Sequence, residues 1–208
     1  TFDDGYIWQY NAAKLLENYG WRGTFYISAG LVGKEFENIS LMSKEQIHEL
    51  YKKGHEIGSH TYSHINASEV SVEEYEQDVL RGKEVAGIVT ENFAFPHGDD
   101  SKKEIVLKYY KTARGVKNPC INNFSSKELC GVILVSTNDN YKDLRQHLDK
   151  LKANGGWLIL VIHNIDENPR LNIDLTEKQL TWVLDQVNQS GIPVKTIAEV
   201  LSDVETKT

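Results

Sequence analysis

Residues 23–60 read GTFYISAGLVGKEFENISLMSKEQIHELYKKGHEIGSH. Gly23–Ser28 is short, aromatic and β-rich, which predicts a strand. Ser43 opens a helix that runs to Lys53. Glu45 and Gln46 stand in its first turn, Gln46 at the capping-box position, and Gly54 stops it. His55–Ser59 then returns to strand. A strand, a helix and a further strand in this order suit a parallel pair joined by a crossover.

The alternation extends in both directions. Ile7–Asn18 carries helix-period apolar residues at Ile7, Trp8, Ala12, Leu15 and Leu16 before a stop at Tyr19-Gly20. Val72–Ile88 reads as the longest helix, Asn92–Phe95 as a strand halted by Pro96 and Gly98, Glu104–Tyr110 as a helix, and Thr112–Val116 as a short strand. Asn118–Leu129 has no clear period and reads as loop. Val132–Val135 and Trp157–Ile162 read as strands flanking a helix over Lys142–Ala153. Thr176–Gln189 is a helix ended by Gly191, followed by a strand at Val194–Thr196 and a last helix at Ile197–Val204. No repeat, low-complexity tract or linker divides the chain, so one α/β domain over residues 1–208 is expected, with a parallel sheet covered by helices. Such a sheet carries its reactive loops at the strand carboxyl ends.

Composition narrows the class. Apolar residues are 40% and charged residues 25% of the 208, enough for a substantial core and unlike a disordered chain. Lys plus Arg is 23 against 30 Asp plus Glu, and the net charge of −7 argues against non-specific nucleic-acid binding, which needs cations to displace counterions. The longest apolar run, Trp157–Ile162, falls far short of the roughly 18 residues of a membrane span. The chain opens at Thr1 without Met, so removal of an upstream segment is expected, and the lack of a leader says nothing about export. Cys120 and Cys130 are too few for a disulfide-rich scaffold or a four-thiolate metal site; they either pair or stay as free thiols.

Four clusters carry chemistry. In Thr1-Phe2-Asp3-Asp4-Gly5, two carboxylates at a strand end can turn toward one site, one bound to a cation and the other free as a base; a solvated turn is the plain alternative. In His60-Thr61-Tyr62-Ser63-His64, histidines four apart share a face and can reach one metal ion. His55 is expected to be packed or at an edge, while His48 and His147 are expected to face solvent. In Phe93–Gly98, Pro96 and Gly98 make a turn in which the His97 N–H can face a substrate oxygen. His163 directly follows the apolar run, where a catalytic acid of a parallel barrel would sit. Together, Asp4, His60 and His64 form an oxygen-plus-two-nitrogen set with Asp3 as base and His163 as acid, an inventory suited to amide or ester hydrolysis.

This order of motifs resembles the polysaccharide deacetylases of the NodB-homology, carbohydrate esterase family 4 type, from TFDDG at 1–5 through SHTYSH at 59–64 and FAFPHG at 93–98 to LVIHN at 160–164. The GIPVKTIAEVL tail at 191–201 is similar to that family's closing strand and helix. The resemblance implies a distorted (β/α) barrel, Asp3 as general base, and Asp4, His60 and His64 as ligands of a divalent metal. Zinc is the usual ion; cobalt, nickel or iron also suit the set. It further implies His163 as general acid, the His97 N–H (beside Pro96) as an oxyanion donor, and an acetylated glycan as substrate. N-acetyl sugar is the main expectation and O-acetyl xylan a further one. Export or a cell-surface location is implied on the same ground.

The chain also departs from that pattern. Ala94 stands where many members carry an arginine that orients the base, and Arg114 is the expected replacement. His97 stands where they carry Tyr or Phe, and Val132–Asp139 holds no Trp for the usual substrate-side wall. The strand that normally leads into TFDDG is expected to be missing from the chain. Three other readings remain at this point. A non-haem iron oxygenase uses the same ligand types. A deacetylase-like domain could bind sugar without turnover, and an amidase of small amides could use the same fold.

Overall fold

Ser43, Ser71, Thr176 and Thr196 each start a helix by the same device. The hydroxyl accepts the backbone N–H three residues on, and Gln46, Glu74, Gln179 or Glu199 reaches back to the cap. The computed structural model describes residues 1–117, 120–134, 143–167 and 173–206. The elements are α1 (Ile7–Asn18), β1 (Thr24–Ile27), β2 (Glu35–Phe36), β3 (Ile39–Ser40), α2 (Lys44–Lys52), β4 (Glu56–Ser59), α3 (Val72–Arg81), β5 (Glu84–Val85) and β6 (Ile88–Val89). They continue with β7 (Asn92–Ala94), α4 (Lys103–Val106), β8 (Thr112–Gly115), β9 (Glu128–Ile133), α5 (Leu144–Asn154), β10 (Ile159–Val161), α6 (Glu177–Ser190) and α7 (Ile197–Glu205).

Six strands form one parallel sheet in the order β1-β4-β7-β8-β9-β10. The sheet curls until its two edges meet across Phe2, which bridges both Phe25 and Ile162 in parallel register. The Phe2 N–H donates to Thr24 O at 2.9 Å and the Asp3 N–H to Ile162 O at 3.1 Å. The place of the expected first strand is therefore held by the residues that lead into the paired carboxylates. At the amino end of β1 and β10 lies an apolar cavity of about 580 Å³, lined by Trp21, Leu158, Leu160 and Val183 among others.

Strand alternation sorts side chains between helix-facing and interior positions. Phe25, Ile27 and Ile57 pack into the helix-side core with Leu16, Ile47, Leu50 and Leu180. The lower interior is a polar belt: the Thr24 hydroxyl and the Asn92 amide donate to Glu56, and the Thr112 hydroxyl donates to Asn92. The Ala198 N–H at the start of α7 closes this belt onto Glu56 at 3.0 Å. One layer up stand Tyr26 and Arg114, both fully buried. They fit because glycines stand beside them: a Cβ on Gly58 would lie 2.4 Å from the Tyr26 ring, and one on Gly131 would lie 2.4 Å from Val161 and 2.9 Å from Arg114 Cδ.

Several expectations change. Val72–Ile88 is not one helix. α3 ends at Arg81, and Ala86-Gly87, both at positive φ, turn the β5–β6 hairpin. Val194–Thr196 forms no strand, because Thr196 takes the extended backbone of a helix cap (φ −70°, ψ 165°) instead of a sheet partner. The helix expected over Glu104–Tyr110 is the short α4, and β9 starts at Glu128, inside the stretch read as loop. α1 buries Gln9, Ala12, Ala13 and Leu16, leaving Trp8 48% exposed. His55 is buried and accepts the Gly23 N–H at 3.1 Å, as a packed histidine. His48 is half-buried, with Nε2 2.8 Å from Ala86 O, and His147 is also half-buried. Cys120 and Cys130 are joined as a disulfide, with Cα atoms 5.7 Å apart. Residues 118–119, Val135 and Lys142 lie outside the described residues.

The absence of a side chain at Gly131 makes room for Arg114. Gly131→Ala is therefore expected to destabilise the protein by about 1–3 kcal/mol through overpacking. That is a Tm lower by roughly 2–10 °C in a thermal melt, against no change at the open position Gly115.

Candidate active site and metal centre

Every residue that the sequence singled out for this site comes from the carboxyl end of a strand or the turn just after it. Asp3 and Asp4 follow the Phe2 bridge, and His60 and His64 follow β4. Pro96 and His97 follow β7, Arg114 lies in β8, and His163 follows β10. Parallel pairing sets all these ends at one mouth of the curled sheet.

Asp4 is 6% exposed, and its Oδ1 lies 3.3 Å from His60 Nε2 and 3.0 Å from His64 Nε2. The three ligand atoms fall within 4.8 Å of one another. His60 Nδ1 lies 2.8 Å from Ala94 O. A carbonyl can only accept, so that ring nitrogen carries the proton. Nε2 of the neutral ring then turns a lone pair toward the Asp4 oxygen, acceptor facing acceptor. Only a cation or an extra proton between them resolves the clash, and one carboxylate with two imidazoles is a donor set for a divalent transition metal. The residues fit such an ion. Burial pushes the Asp4 carboxyl up, but the His60 and His64 rings beside it outweigh this and hold the group well below the usual carboxylate range.

The backbone here is forced. Asp4, Thr61, His64 and His97 all have positive φ, between 57° and 76°. For non-glycine residues this costs on the order of 1–2 kcal/mol each. The surrounding structure must repay it, and what the turns gain is convergence of Asp4, His60 and His64.

Asp3 is 3% exposed and is not among the three residues whose ligand atoms converge. Arg114 donates from Nη2 to Asp3 Oδ1, and both side chains are buried. Burial pushes the Asp3 carboxyl up, and the Arg114 charge together with His60 and His163 more than offsets this, so the group sits below its ordinary value. Arg114 pairs in register with Ala94 on the neighbouring strand. The small side chain at 94 leaves open the space through which the guanidinium reaches Asp3. His163 Nε2 lies 3.9 Å from Asp3 Oδ2, outside hydrogen-bond distance. His97 is exposed, and its ring meets that of His64 edge-on at 4.6 Å between centroids, while Phe36 lies 4.8 Å from His64.

One buried residue at this mouth escaped the sequence reading. The Gln9 amide donates to Asp3 O and, at 2.8 Å, to His163 O, tying the two loops together from beneath. Its signal was available: Gln9 shares the helix face of Ala12, Ala13 and Leu16 at spacings of three, four and seven.

A family model described as polysaccharide deacetylase matches residues 1–113, more than half of the chain and inclusive of both aspartates and both metal-spaced histidines. A chitin deacetylase of Arthroderma benhamiae is 26% identical over 98% of this chain and 51% of its own length. A peptidoglycan-N-acetylglucosamine deacetylase of Bacillus cereus is 30% identical over 48% of this chain and 35% of its own length. The chain thus spans about half or less of these two curated relatives. Among solved structures, IcaB from Ammonifex degensii superimposes with a TM-score of 0.62 at 25% identity, covering 70% of each chain. The Xyl-CE4 domain of a multidomain xylanase from the hindgut metagenome of Trinervitermes trinervoides gives 0.61 at 16% identity over 98% of this chain and 88% of that one, a likeness of fold. With the curled parallel sheet and the two paired motifs in place, the chain belongs to the polysaccharide deacetylase family.

Proposed function

We propose that this domain is a metal-dependent hydrolase that removes acetyl groups from a glycan, with N-acetylated sugar as the main substrate. One observation carries the reading: Asp4, His60 and His64 converge on a point beside a second carboxylate, Asp3, that is held by arginine and left out of the ligand set. The names of the two curated relatives, one for chitin and one for peptidoglycan N-acetylglucosamine, support an N-acetyl over an O-acetyl substrate. They also support a substrate outside the cell. No helix among the described residues is long and apolar enough to cross a membrane.

A divalent cation held by Asp4, His60 and His64, with zinc proposed, would supply Lewis acidity and make a bound water more acidic. Asp3 takes the proton from the attacking water as the oxygen–carbon bond forms. Arg114 fixes the direction of its Oδ1 and keeps it ionised, so Oδ2 is the oxygen left for the proton. The backbone N–H of His97, next to Pro96, donates to the oxygen that becomes negative. His163 gives a proton to the departing nitrogen as the carbon–nitrogen bond breaks, so acetate and a free amine leave. Gln9 holds the backbones of base and acid in one frame.

Acetate release from a panel of N-acetylated oligosaccharides, peptidoglycan and acetylxylan, with and without chelator, tests the reading. Release should be abolished by chelation and restored by zinc; release indifferent to chelator would overturn it. Asp3→Asn should lower kcat by about 10²–10⁴-fold with bound metal unchanged, whereas His60→Ala should lose metal and activity together. Loss of metal from the Asp3 variant would show that both carboxylates are ligands. Arg114→Ala should lower kcat/KM about 10- to 100-fold at full metal occupancy. It should also lower unfolding stability by about 3–5 kcal/mol, because the buried Asp3 charge loses its partner. An unchanged kcat/KM would remove Arg114 from the site.

A further inference from the structure

Resting on the metal assignment above, we propose that Asp78 of α3 is the positioning residue for the ligand pair His60 and His64. The turn between them is bound to α3 by consecutive contacts. Asp78, 7% exposed, accepts the Tyr62 N–H at 2.9 Å and the Ser63 N–H at 3.0 Å on Oδ1, and the Ser63 hydroxyl at 2.6 Å on Oδ2. One turn on, the Arg81 guanidinium lies 3.6 Å over the Tyr62 ring. At Gly82 the helix end comes so close that a Cβ there would stand 2.5 Å from the Thr61 carbonyl carbon. Residues 78, 81 and 82 share one helix edge, and that edge meets the 61–63 backbone along its length.

The turn needs such support. Thr61 and His64 both adopt positive φ, and for a β-branched residue such as Thr61 that conformation is a genuine outlier. Left to itself, the segment would relax toward ordinary backbone and separate the two imidazoles. Two N–H groups aimed at one carboxylate oxygen form a directional clamp, and a charged acceptor makes each bond stronger than a neutral one would. On the opposite side, the Ala29 and Gly30 N–H groups donate to Thr61 O and Tyr62 O. The turn is thus gripped from both flanks, and Asp78 is the flank supplied by a side chain. Asp78 does not touch the proposed ion or the reacting atoms; it acts through the loop.

The test is zinc affinity, measured by competition with a chromophoric chelator on the whole protein, beside thermal melts of the metal-free forms. Asp78→Ala should bind zinc about 10- to 100-fold more weakly, with kcat recovering at saturating zinc. Asp78→Asn keeps an oxygen for the two N–H groups and should retain affinity within a few-fold. Ser63→Ala, which removes only the bond to Oδ2 and leaves the fold least disturbed, should weaken binding by a few-fold. Should Asp78→Ala fail to fold, the Ser63→Ala and Asp78→Asn affinities decide the matter. Wild-type affinity in Asp78→Ala, or in Ser63→Ala where the former does not fold, overturns the proposal, even if the melting temperature falls, since that is a structural role alone. Failure of the wild-type protein to bind zinc would instead overturn the metal assignment itself, an outcome read separately in the same titration.

Discussion

Asp4 carries its charge almost out of reach of water, and such a group is expensive to bury unless something compensates it. Two imidazoles face it, one with its tautomer imposed by the Ala94 carbonyl, so a cation or an extra proton among the three groups has to supply the compensation. The rest of the mouth follows from that arrangement. Two of the three residues adopt left-handed backbone to aim their side chains inward, and the segments that carry them are braced from neighbouring elements. The cost falls on backbone conformation and desolvation; the return is a donor set poised for a cation.

Directly beneath this mouth, Arg114 is buried beside an apolar cluster that includes Tyr26, Ala94, Leu129 and Val161. A buried guanidinium is tolerable because Asp3 neutralises it and the Tyr26 ring lies 5.2 Å away. Glycine at 131 and alanine at 94 clear its path. Substituting the arginine's strand of origin therefore changes little about the charge that reaches Asp3: adjacent staves in register present side chains at the same height. The polar belt around Glu56 closes the lower end with hydrogen bonds, so the sheet is polar at its mouth and at its base and apolar toward its helices.

Much of this was legible in the chain, but unevenly. Helix starts were clear wherever a Ser or Thr cap met a Gln or Glu three residues on, since that signal is local. Local reading misled where cap geometry and strand geometry coincide, as at Thr196, and where Ala86-Gly87 turned a hairpin inside an apparently helical stretch. Asp3, Asp4, His60, His64 and His163 stood out because each follows a strand. Gln9 and Asp78 did not stand out, because a polar residue on a helix becomes informative only once the buried face is known.

The sequence by itself determined the strand–helix alternation and the paired carboxylates and spaced histidines, because periodicity, capping and motif spacing are properties of neighbouring residues. Only the tertiary structure decided that Asp4 faces both imidazoles while Asp3 is claimed by an arginine 111 positions away. It also decided that Phe2 joins the two edges of the sheet and that α3 grips the histidine turn. Those contacts depend on the register and curl of parallel strands, which bring distant segments to one height and leave no trace in local spacing.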